Sequence, residues 1–105
     1  MSNRVSITHL YNVTDGNPAL YLRAFKENLK DNMSVKLVPN GNPVTYQLSV
    51  SVSYIDYVPG NKFLDWIDRG SQDLLWFYNK LKKSEILPHN GLDLIKVSGK
   101  RNKLS

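Results

Sequence analysis

Apolar and polar residues alternate without interruption from Val44 to Tyr54. Val44, Tyr46, Leu48, Val50, Val52 and Tyr54 hold one parity, and Thr45, Gln47, Ser49, Ser51 and Ser53 hold the other. Successive side chains of a strand point to opposite faces, so this segment predicts a strand with one buried and one wet face. At about 3.3 Å per residue it could reach roughly 35 Å, well beyond a common strand of about 5–6 residues. At 54–58 the parity breaks, with Ile55 and Tyr57 on the formerly polar side and Asp56 on the apolar side. A bulge, a sharp twist or the strand end would produce that, and the strand is placed over about 44–58.

The same alternation marks a first strand over about 4–13 (Val5, Ile7, His9, Tyr11, Val13). A helix follows over about 18–31. Asn17 suits its N-cap, Pro18 its first turn, and Leu22, Phe25 and Leu29 its apolar stripe. Met33, Val35 and Leu37 begin a short second strand over 33–38. Asn40-Gly41 between two prolines suits a hairpin turn that limits the ladder. The third strand is thus expected to outrun its partner and leave unpaired backbone groups.

A second helix, about 61–83, opens near Asn61. Its stripe is Phe63, Ile67, Gly70, Leu74, Phe77 and Leu81, widened by Leu64, Trp66, Leu75, Trp76 and Tyr78. Gly70 inside the stripe suggests a kink or close helix–sheet packing. Leu92, Leu94, Ile95 and Val97 give a last strand. The order β-α-β-β-α-β is that of the ferredoxin-like split βαβ fold, an α+β two-layer sandwich with both helices on one sheet face. Thr45, Gln47, Ser49, Ser51 and Ser53 would face outward. One domain over 1–98 and a basic tail over 99–105 are expected.

Composition narrows the chemistry. The 105 residues contain no cysteine, which excludes a disulfide scaffold, a thiol nucleophile and a Cys-ligated metal. There is no apolar run of the roughly 20 residues a membrane span needs, and the N-terminus lacks the apolar core of a signal peptide. No membrane partner is expected, and a cytoplasmic or virion setting is. The net charge is +5. Cations gather at Lys80, Lys82 and Lys83 and at Lys96, Lys100, Arg101 and Lys103. These could neutralise nucleic-acid phosphates.

No catalytic motif accompanies them. His9 falls at an apolar parity, as a packed strand residue does, and His89 sits in a turn. Asp65, Asp68 and Asp73 could share a helix face and a cation, but acids near a helix N-terminus are ordinarily a solvated edge that the dipole favours. No phosphate-binding glycine loop occurs, and the RNA-recognition motifs of a sheet face are missing. No enzyme and no cofactor are expected.

An uncharged hydroxyl face on a long strand suits another protein, or another copy of this one. Tyr54 and Tyr57 add residue types that interfaces favour. The order of helix, long strand, turn and long helix over about 18–83 is similar, at fold level, to tail-terminator and neck proteins of tailed phages. That resemblance implies a structural viral subunit, assembling as a homo-oligomer with sheets continued between copies. The function expected first is therefore a non-catalytic interaction or assembly protein of phage type. The alternatives are a nucleic-acid-associated protein using the C-terminal cations, and a phage-encoded inhibitor of a host protein or CRISPR complex.

Overall fold

The computed structural model describes residues 3–56, 62–88 and 90–103. The elements are β1 (Asn3–Val13), α1 (Pro18–Asn28), β2 (Met33–Asn40), β3 (Thr45–Asp56), α2 (Phe63–Lys83) and β4 (Leu92–Lys103). They form one sheet of order β2-β3-β1-β4 in which every neighbouring pair is antiparallel. β1 and β2 therefore run parallel with β3 between them, and β3 and β4 run parallel with β1 between them. This is the split βαβ arrangement twice over. α1 packs on β2 and β3, and α2 on β1, β3 and β4. The shortest dimension, 20 Å, is that of one sheet and one helix layer. None of the described helices is long and apolar enough to cross a membrane.

Alternation fixes which face is covered. Val5, Ile7, His9 and Tyr11 of β1 and Leu48, Val50 and Val52 of β3 are buried beneath the helices. Tyr21 and Phe25 of α1 and Trp66, Leu74, Phe77, Tyr78 and Leu81 of α2 meet them. Phe25 packs edge-on to Phe77 at 5.6 Å between centroids. Leu64 and Trp76, expected to widen the α2 stripe, are instead largely exposed at 70% and 63%.

Several expectations need correction. β3 does outrun β2, which pairs with it only over 45–52, but it does not project beyond the sheet. It is an interior strand whose residues 47–56 pair with β1, while 45–52 pair with β2. Ser53 N–H also donates to Asn32 O at 2.8 Å. Only the last few residues lack a neighbour on the β2 side, because β2 begins at Met33. The parity break at Ile55 and Asp56 is no bulge, since the ladder with β1 continues regularly to Asn3 opposite Asp56. The bulge lies in β4, where Leu10 faces Lys96 but Tyr11 faces Leu94, leaving Ile95 extra.

Pro39 does not limit the β2–β3 ladder, which includes it opposite Tyr46 and ends at Asn40 opposite Thr45, with Pro43 in the turn beyond. Pro39 is tolerated because β2 is an edge strand. α1 stops at Asn28, short of the expected 31, because Leu29 adopts extended backbone. Asn17 makes no side-chain cap; Asp15 instead accepts the Asn17 backbone N–H at 3.1 Å. Residues 99–103, expected as tail, are strand, paired with β1 as far as Asn3 opposite Lys103. Asn61, Tyr57 and His89 lie outside the described residues.

His9 is fully buried, with Nε2 2.7 Å from Ser71 Oγ on α2. Burial lowers its pKa below the ordinary 6.5, because imidazolium loses more hydration than imidazole. Above that pH the ring is neutral folded and unfolded, so its effect on stability is nil. Below it the unfolded chain takes the proton first, and stability falls as pH drops toward the folded pKa. Unfolding free energy measured in urea should therefore decline as the pH falls below 6.5. His9→Gln, which cannot titrate, should remove that part of the decline. Identical pH slopes for the two proteins would exclude the account.

Candidate functional site, the open face of the sheet

The ladders set out the uncovered face row by row. One row runs Ser34, Ser51, Thr8, Ser98 from β2 to β4. The next runs Lys36, Ser49, Leu10, Lys96. On the other side of the first lie Ser53, Ser6 and Lys100, and then Ile55, Arg4 and Asn102. Facing hydroxyls bond across the strands, Ser6 Oγ to Ser53 Oγ at 3.0 Å and Thr8 Oγ1 to Ser51 Oγ at 2.7 Å. In each pair one hydroxyl donates to the other, so one O–H per pair remains to be donated outward. Gln47 Nε2 donates to Asn12 Oδ1 at 3.1 Å further along the face.

Of the five residues expected to face outward, all lie on this side. Thr45 is exposed at the rim and bonds Asn40 O at 3.0 Å, Gln47, Ser51 and Ser53 are half-buried, and Ser49 is buried at 7%. The face is not uncharged, however. Arg4, Lys36, Lys96 and Lys100 are exposed on it, and no ion pair holds any of them among the described residues. Asp93, opposite Asn12, is the acid at its far end. A cleft of about 410 Å³ opens at the corner where β3 continues past β2. Arg4, Ser34, Ser53 and Ile55 line it together with Asp31.

The expected basic cluster is therefore not one site. Lys96 and Lys100 join the open face. Arg101 has the opposite parity and lies over the Phe63 ring at 5.2 Å. Lys80, Lys82 and Lys83 end α2 in the helix layer, with Lys82 over the Tyr78 ring at 4.5 Å. Lys103 closes β4. Arg4 and Lys36 were missed as site residues. Their signal was present, since each precedes a buried-parity residue (Val5, Leu37) and so belongs to the wet parity.

Tyr54 is half-buried and has the parity of the covered side of the sheet, not of the open face. It stacks on Trp66 at 5.3 Å, Arg69 covers both rings, and its hydroxyl donates to Asp73 Oδ2. No group of three potential ligands converges among the described residues. Comparisons with protein-family models, with curated proteins and with solved structures give no match.

Proposed function

We propose that this protein is a non-catalytic interaction module that holds an anionic partner on the open face of its sheet. The observation that carries this is the placement of Arg4, Lys36, Lys96 and Lys100 around a stripe of paired hydroxyls on the one sheet face that the helices leave bare. Charge complementarity steers encounter and selects partners. The four cations also argue against face-to-face stacking of two copies, the arrangement an uncharged face would favour. Continuation of the sheet between copies is opposed by the bulge in edge strand β4 and by Pro39 in edge strand β2, both devices that blunt edges.

Amide NMR titration with heparin tests the surface. Shifts should gather on Ser6, Thr8, Lys36, Ser51, Lys96 and Lys100. Ser51→Glu, which puts a carboxylate at the centre of the face, should weaken heparin binding at least about tenfold, a cost of the order expected for like charge in a binding patch. Lys80→Glu/Lys83→Glu in the helix layer should weaken it far less. Shifts centred on α2 with Ser51→Glu silent would refute the proposal.

A further inference from the structure

Resting on that reading, we infer that the anionic partner is the phosphate backbone of double-stranded nucleic acid, bound without regard to sequence. Three properties of the face point there.

The first is its inventory. Phosphates are contacted by Arg, Lys, Ser, Thr, Asn and Gln side chains, and those types make up most of this surface. Outward O–H donors from the Ser6–Ser53 and Thr8–Ser51 pairs lie between the flanking cations.

The second is spacing. Lys36 and Lys96 occupy the two outer strands of one row, three strand separations apart, or about 14 Å. Lys96 and Lys100 are four residues apart along β4, about 13 Å. An extended acidic peptide is a single line of charge and meets one flank at a time. A duplex presents two backbones across a groove about 12 Å wide, with one charge per roughly 1.7 Å of axis. It can therefore engage both flanks together.

The third is what the face presents to bases. Single strands are held largely by stacking on aromatic side chains. The open-face positions of all four strands carry none, and the exposed Trp76 belongs to the helix layer. A ligand that shows its backbone outward and keeps its bases stacked inside fits such a surface.

The test measures binding of a 20-base-pair DNA duplex, a 20-base-pair RNA duplex, a single-stranded oligonucleotide and poly-L-glutamate by fluorescence anisotropy, at salt from 50 to 200 mM. Four phosphate contacts predict a slope of log K against log salt of about −3 to −4 for the DNA duplex. Lys96→Glu/Lys100→Glu should reduce duplex affinity at least about tenfold and flatten the slope by about 2. These positions are exposed on an edge strand, and an unchanged amide spectrum away from β4 verifies the fold. Lys80→Glu/Lys83→Glu should leave the duplex slope nearly unchanged. Tighter binding of either duplex than of the single strand and poly-L-glutamate supports the inference, and the two duplexes report which backbone is preferred. Face-dependent binding of poly-L-glutamate or the single strand, equal to or tighter than that of both duplexes, overturns the inference and leaves the anion-binding face standing. Binding of every probe that is indifferent to Lys96→Glu/Lys100→Glu overturns both.

Discussion

Gly91→Ala should cost about 4 kcal/mol, seen in urea as a lower unfolding midpoint at unchanged slope. Gly91 opens β4 from a loop and has φ +118°, a conformation that a side chain adopts only under strain of about 1–3 kcal/mol. A Cβ there would also stand 1.9 Å from the Tyr21 hydroxyl and 2.6 Å from Asp15 Oδ2. That hydroxyl is fixed by donating to Asp15 Oδ2 at 2.5 Å, and it lies 3.1 Å from Asn90 O. Tyr21 is fully buried, so it cannot swing aside into solvent. Breaking a hydrogen bond to a charged group adds about 1.5–3 kcal/mol. Tyr21→Phe removes the hydroxyl and part of the clash. The double variant should therefore lose less than the sum of the singles by about 1 kcal/mol or more. Strict additivity would show that the backbone angle alone carries the cost. A Gly91→Ala protein as stable as the parent would refute the packing itself.

This cluster shows where the chain's own pattern stops being informative. Alternation in Val5–Tyr11 and Leu48–Val52 marks the buried side of the sheet because one face of each strand is covered, and burial enforces period two. Pro18 marks the start of α1 for an equally local reason. The contact of Gly91 with Tyr21 joins residues 70 positions apart, and no local periodicity reports it. The same holds for strand order. β3 looks overlong beside β2 alone, and its length makes sense only once β1 is known to lie on its other side. Asp56 illustrates the reverse failure. It breaks the alternation in sequence, yet sits buried in a regular ladder opposite Asn3.

The site was half legible for a similar reason. Membership of the wet parity is local, so Thr45, Gln47, Ser49, Ser51 and Ser53 can be assigned from β3 alone. The charge of the face is not local, because β1, β2 and β4 each contribute cations to it. Lys96 and Lys100 read as part of a C-terminal run until the β1–β4 register places them beside Leu10 and Ser6. Arg101, adjacent in sequence, goes to the other side of the sheet. A run of cations in sequence therefore separates into two surfaces, which is why an uncharged face was expected and a basic one is found.

Gly70→Ala should destabilise the protein by about 2 kcal/mol, against the ordinary direction of that substitution. In an exposed helix interior Ala is favoured over Gly by about 1 kcal/mol. Here a Cβ would meet Ile7 Cβ and Cγ1 at 2.7 Å and Cδ1 at 2.8 Å. Ile7 is fully buried in the interior strand β1, so the Cβ it presents cannot retreat by a change of rotamer. The helix must rise, and overpacking of this kind costs about 1–3 kcal/mol. Raising α2 would also stretch the 2.7 Å bond from His9 Nε2 to Ser71 Oγ, since Ser71 is the next residue of the helix. Water admitted there relieves the desolvation that lowers the His9 pKa. The imidazole should then titrate closer to 6.5 in the variant than in the parent, as read from its ring proton shifts. A gain in stability with His9 unmoved would mean that α2 does not lie against β1 at Gly70. A loss of stability with the His9 titration shifted upward would identify helix lift, rather than a local distortion of Ile7, as the way the clash is relieved.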